Sequence, residues 1–180
     1  MDLLKAKRPA LFITVLFFFC SLARADIARE YQIKAVFLFN FAQFSDWPPE
    51  VFAESDSPLV IGILGTDPFG LALDQTVKGE VIRGRRIQVA RFKTVAEIQT
   101  CHILYIGQSE GNRIERISET LRNRPVLTVT DLEPTASRGV IIRFVSEHNR
   151  VRFQIDLEAA KVAQLTLSSK LLRVAAAAPK

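Results

Sequence analysis

The chain has 180 residues, with 24 Lys or Arg against 19 Asp or Glu, a formal charge of +5 and an isoelectric point near 9.5. That excess belongs to the amino terminus: without residues 1–25 the chain keeps 20 bases against 18 acids, a balance of +2. A nucleic-acid-binding domain shows a basic face or run; the densest run here, Arg83-Gly84-Arg85-Arg86, reads as a solvated turn, which speaks against nucleic acid as a partner.

Lys5, Lys7 and Arg8 precede an apolar run from Ala10 to Leu22 and then Ala23-Arg24-Ala25. This is the charged, apolar and small-residue sequence of a secretory signal. Cleavage is expected before Asp26, releasing a soluble protein into a Gram-negative periplasm. The apolar run is shorter than the roughly 20 residues that span a bilayer. A lipoprotein signal at Cys20 is disfavoured because Phe17, Phe18 and Phe19 stand where lipidation requires small residues, so Cys20 leaves with the signal. Cys101 is then the single thiol, which excludes an intrachain disulfide even in an oxidising compartment. Residues 26–180 are enough for one domain with its own core.

Asp26 to Phe44 is expected as a helix with two apolar stripes, one through Tyr31, Ala35, Leu38 and Ala42, the other through Ile33, Phe37, Phe41 and Phe44. Trp47-Pro48-Pro49 stops it, since proline excludes the preceding residue from the helical region. Leu59 to Leu64 reads as a buried strand, and Thr66-Asp67-Pro68 as the cap and first turn of a helix running to Lys78. Strands follow at Arg86–Phe92, His102–Ile106 and Val126–Thr130, separated by helices at Thr94–Ile98 and Gly111–Leu121. Gly139–Val145 and Val151–Leu157 read as an antiparallel hairpin around Ser146–Arg150, with Val151, Phe153, Ile155 and Leu157 on one face. Helices at Glu158–Gln164 and Ser168–Ala175, the latter capped by Ser168, complete the chain. The alternation predicts an α/β fold: a single three-layer domain with a mostly parallel sheet, helices on both faces and a C-terminal antiparallel hairpin.

Little of this carries chemistry. His102 and His148 have no neighbours at metal-ligand spacing, and Cys101 and His102 point to opposite faces of a strand. Asp67, Asp131 and Glu133 lie near loop starts without being paired as acid and base, and no G-x-S-x-G is present. The glycines of "IGILGTDPFG" and "IGQSEGN" read as chain reversals rather than a phosphate cradle. A ligand crevice, if the fold has one, is expected at the carboxyl ends of the parallel strands. No catalytic residue, metal or cofactor is expected, and the chain reads as a binding or regulatory domain.

Two segments, "YQIKAVFLFNFAQFSDWP" and "NRVRFQIDLEAAKVAQLTLSSKLLRVA", resemble the opening and closing signatures of the YfiR family. "PLVIGILGTDPFG", "CHILYIG" and the hairpin fit the same pattern. The resemblance implies a periplasmic α/β homodimer that represses an inner-membrane diguanylate cyclase through its periplasmic sensor region, lowering cyclic-di-GMP. It also implies sequestration by an outer-membrane peptidoglycan-associated lipoprotein. Family members of established role join the first strand to the cysteine matching Cys101 by a disulfide; here Val60 and Ile61 stand in the partner region, so that redox control is in doubt and Cys101 reads as a small buried hydrophobe.

Phe37, Phe39, Phe41, Phe44 and Trp47 are either core or a dimer or partner surface, aromatic residues being enriched at interface hot spots. Lys34 and Asn40 match family positions and read as structural. Ser168, Ser169 and Lys170, with Arg152, are candidates for a carboxylate or phosphate, against the plainer reading of Ser168 as a helix cap. The alternative to repression is a periplasmic sensor or carrier of a nucleotide or carboxylate.

Overall fold

The computed structural model describes residues 8–133, 138–147 and 150–175; the first residues of the expected signal and His148 of the hairpin loop lie outside them. The first helix, α1, runs from Arg8 to Phe44, continuous with the expected segment from Asp26. The short strand β1 (Ser45–Asp46) follows it, and Trp47 and the prolines then turn the chain through one 3-10 turn at Pro49–Val51.

Strand β2 (Leu59–Leu64) has the predicted bounds and is buried throughout. Helix α2 covers Leu71–Val77. Its start is set back from Pro68 because the Asp67 carboxylate accepts from the backbone N–H groups of Phe69 and Gly70, at 2.7 and 3.2 Å, holding a turn ahead of the helix. The strands β3 (Val81–Ile82) and β4 (Arg85–Phe92) form a hairpin the sequence reading lacked. Arg83 and Gly84 both take positive φ, 51° and 79°, as a two-residue type I′ turn requires.

The basic run forms the turn expected of it, with Arg83, Gly84 and Arg86 exposed, and two of its guanidinium groups also tie the hairpin to other segments. Arg83 donates to the Ser45 carbonyl and pairs with Asp46 at 2.6 Å. Arg85 donates to the carbonyls of Glu54 and Ser57 while stacking 3.7 Å over Phe52.

Thr94–Ile98 holds a single 3-10 turn, Val95–Glu97. Strand β5 (Ile103–Ile106) leads into a 3-10 stretch, Gln108–Arg113, and then α3 (Ile114–Leu121). After β6 (Leu127–Thr130) come the antiparallel β7 (Ile142–Glu147) and β8 (Arg150–Ile155), α4 (Leu157–Val162), β9 (Thr166–Leu167) and α5 (Ser169–Val174). Leu157 departs from its expected place: β8 ends at Ile155, Asp156 caps α4 by accepting from Ala159 N–H at 2.9 Å, and Leu157 turns out, 53% exposed.

The sheet order is β3-β4-β2-β5-β6-β7-β8, parallel from β4 through β7 with an antiparallel strand at each end; β1 and β9 pair separately. Alternate residues of its central strands feed two cores. Leu59, Ile61, Ile63, Ile103, Tyr105, Leu127 and Val129 meet Leu38 and Phe41 of α1, Leu73 of α2 and Leu171 of α5. Leu104 and Ile106 meet Ile114, Ile117 and Leu121 of α3 on the other face.

On that second face Cys101 looks at Gly62, where a Cβ would stand only 2.7 Å from the Cys101 Sγ and as close to the Phe92 ring. The position opposite the cysteine is therefore Gly62, one residue beyond the Val60-Ile61 pair, and it has no side chain to offer. Burial pushes the Cys101 thiol up to about 12, so the thiolate that reacts is scarce at neutral pH. Native protein is expected to resist alkylation by iodoacetamide at pH 8, with full labelling only in denaturant; rapid native labelling would overturn this.

His102 ties the Trp47 turn to the sheet. Its Nδ1 accepts from Val60 N–H at 3.0 Å, its carbonyl accepts from Trp47 Nε1 at 3.1 Å, and Phe52 stacks on the ring at 4.5 Å. A protonated Nδ1 would confront the Val60 N–H, and burial, followed by the charge of Arg85, lowers the imidazole to about 4. Since the unfolded chain binds this proton first, the contribution is full above about pH 6.5 and is lost as pH falls toward 4. Urea unfolding between pH 7.5 and 4.5 should show a loss of up to about 3 kcal/mol from this group, and H102N should remove most of that slope.

Candidate functional site

In a sheet with the relative order of β4, β2, β5, β6 and β7, the switch point lies between the carboxyl ends of β2 and β5. Here that crevice is filled. Thr66 N–H donates to Ser109 Oγ at 2.9 Å, and a Cβ on Gly65 would lie 2.3 Å from the same oxygen. A Cβ on Gly107 would meet the Thr66 carbonyl at 2.9 Å. The two glycine turns exist to pack against each other, and the open space at the strand ends lies instead beyond β6, a cavity of about 470 Å³ bordered by Ile27, Glu30, Lys34, Asp131, Leu132 and Arg143.

The floor of that cavity is an ionic network that joins α1 to the end of β6. Lys34 leaves the inner side of α1 one turn before Leu38, and its Nζ sits 2.6 Å from Asp131 Oδ2 and 2.8 Å from Glu30 Oε1. Tyr31 Oη donates to the same Asp131 oxygen at 2.8 Å. The side chains of Lys34 and Asp131 are only 4% and 5% exposed, so this is a buried pair. Aromatic rings enclose it: Lys34 Nζ is 4.4 Å from the Tyr31 ring centre, Tyr31 meets Phe69 edge-on at 5.4 Å, and Phe69 meets Tyr105 at 4.8 Å.

Burial alone would raise the Asp131 carboxyl; the hydrogen bond and charge of Lys34 outweigh it and hold the group below the ordinary carboxylate range. Burial, then Asp131, pushes the phenols of Tyr31 and Tyr105 up. Tyr105 Oη and Asp131 Oδ1 are both buried without a partner in hydrogen-bonding geometry, although each phenol feels the Asp131 charge. Asp131 is thus kept ionised and Tyr31 kept protonated, a rivet between elements rather than a proton-transfer pair. Lys34 has the structural role expected of it; its pairing with Asp131, 97 residues away, was not visible along the chain. The signal that could have found it is a lysine placed four and seven residues before Leu38 and Phe41, on the helix side that faces the sheet.

The other sequence candidates separate. Phe41 is fully buried and Trp47 is 9% exposed, so neither is the surface anchor considered for it. Phe37, Phe39 and Phe44 are half-buried and pack on the core, Phe37 within a cluster of Phe41, Phe144 and Phe153 with centroids 5.4–6.1 Å from its own. From Asp26 onward, the large apolar residues of α1 that are exposed are Ile27, Ile33 and Val36. Ser168 Oγ accepts from Leu171 N–H at 3.3 Å, the capping role, while Ser168 N–H donates to the Phe44 carbonyl at 2.9 Å. Ser169 and Lys170 are exposed at the start of a six-residue helix, and Arg152 is exposed on β8 opposite Val145.

A family model described as YfiR/HmsC-like matches residues 31–176, from Tyr31 of the ionic network to the end of α5. The chain belongs to this family. No curated protein matches it. YfiR/HmsC-like membership implies, in general terms, a periplasmic regulator of diguanylate cyclase signalling. No helix among the described residues is long and apolar enough to cross a membrane, and no cluster of metal-ligating side chains occurs among them.

Removing one partner of a buried ion pair strands the other charge and costs about 3–5 kcal/mol. K34M should lose about that much stability in urea unfolding, while K34M/D131L should recover most of it. Equal losses in the single and double variants would show that the pair is not the coupled unit described.

Proposed function

We propose that this protein represses an inner-membrane diguanylate cyclase by binding its periplasmic sensor region, so lowering cyclic-di-GMP. The observation that carries the reading is the family match over residues 31–176. A binder can shift a sensor between active and inactive arrangements only by its differential affinity for the two, typically about 5- to 150-fold in a coupled system. The rigid mounting of α1 supports such a role, because a helix held by Lys34–Asp131 and the phenylalanine cluster presents a fixed outer side. Exposed Ile33 and Val36, three residues apart on that side, suit an apolar anchor on the sensor. The same reading places cleavage of residues 1–25 before action, and includes a homodimer and sequestration by an outer-membrane lipoprotein.

Deletion of the gene should raise cellular cyclic-di-GMP, and the full chain should restore it where a version lacking residues 1–25 does not. I33D/V36D, a change at exposed positions that should leave the melting temperature unaltered, should fail to complement. Unchanged cyclic-di-GMP on deletion, together with no cyclase captured by periplasmic crosslinking, would overturn the proposal.

A further inference from the structure

Between α3 and the loop after β4 lies a second groove, about 500 Å³, outside the network described above. Its floor is apolar: Val95, Ala96, Ile98 and Ile117. Its rim carries Arg113, Arg116 and Arg124, with the hydroxyls of Thr94 and Thr120 between them. One carboxylate, Glu110, lines the groove, and it is spent on Arg113 at 2.7 Å. Glu97, the nearest acid along the loop, is turned to the backbone N–H of Lys93 and the hydroxyl of Thr94.

Two guanidinium groups of the rim therefore have no carboxylate partner among the described residues. Arg124 is held in place by the carbonyls of Ile98 and Gln99, at 3.2 and 3.5 Å, neutral oxygens that fix its position without cancelling its charge. The side chain of Arg116 has neither an ion-pair nor a hydrogen-bond partner among the described residues. The cavity beside Asp131 differs in that its lysine already has two carboxylates. A groove of this volume, apolar below with a few convergent polar groups above, has the build of a small-molecule site. Planar guanidinium groups match the oxygens of carboxylate and phosphate.

We propose that this groove binds a small organic anion, its carboxylate or phosphate head on Arg116 and Arg124 and its apolar body on Val95, Ile98 and Ile117. The inference is independent of the repression proposed above. The ligand's charge offsets the two cations, and its apolar body covers Val95 and Ala96, the apolar lining that stays accessible beside buried Ile98 and Ile117.

The test is thermal unfolding and calorimetric titration of the full mature chain with four probes. Phenyl phosphate and phenylacetate carry the two head groups on one body; benzyl alcohol has the body alone, and inorganic phosphate the head alone. At ten times its dissociation constant, a phenyl anion should raise the melting temperature by about 3–5 °C. The organic anion with the better-matched head should bind more tightly than the other, and both should exceed the two partial probes. R116E, at an exposed position, should weaken binding at least tenfold, and A96F should block it by filling the groove without altering charge. Absence of a shift with both phenyl anions would overturn the proposal. So would an unchanged affinity in R116E and A96F, or inorganic phosphate binding as tightly as phenyl phosphate.

Discussion

The ion pair between Lys34 and Asp131 fixes where α1 stops sliding along the sheet. Hydrophobic contact between α1 and the strands is broad and non-directional, and Leu38 and Phe41 would gain much of their burial in several neighbouring positions. A charge buried to 4% exposure has no such latitude, because any displacement leaves it without a partner. The apolar stripe supplies the affinity of helix for sheet, and the buried pair, with Tyr31 on the same carboxylate, sets the register. Everything downstream inherits that setting: Phe44 delivers its carbonyl to Ser168, β1 meets β9, and Trp47 reaches the His102 carbonyl.

The same economy governs the glycines and the basic turn. Gly62 leaves room for Cys101 and Phe92, and Gly65 and Gly107 allow two turns to interlock at the point where an open sheet of this order would hold a ligand. Arg83 and Arg85 look like a solvated charge run along the chain, and their long side chains also span from the hairpin to carbonyls on two other segments. In these features space and charge are consumed by the fold, whereas Arg116 and Arg124 converge on one groove with no ion pair among the described residues.

As a YfiR/HmsC-like protein, the chain belongs to a family of periplasmic regulators of diguanylate cyclase signalling. Five of its perturbed groups, Asp131, Tyr31, Tyr105, Cys101 and His102, are each held in one protonation state near neutral pH by burial and by their neighbours. That is the behaviour of a rigid scaffold.

Periodicity and turn chemistry were enough to determine the class of fold. Leu59–Leu64 could be bounded to the residue because Pro58 and Gly65 punctuate it, and Ser168 could be read as a cap because its hydroxyl acts on a neighbour three residues on. These are local effects, and local effects are written along the chain. The β3–β4 hairpin escaped because it required Arg83, a non-glycine residue, at φ 51°, which its docking on Ser45 and Asp46 sustains. Leu157 was misplaced because Asp156 converts a strand into a helix start one residue too early for the alternation to continue. The candidate sites were decided only in three dimensions: whether Phe41 is core or surface depends on Phe144 and Phe153, more than a hundred residues away, and Lys34 finds its partner 97 residues along the chain. Burial and charge pairing are properties of neighbours in space, and the sequence orders only neighbours along the backbone.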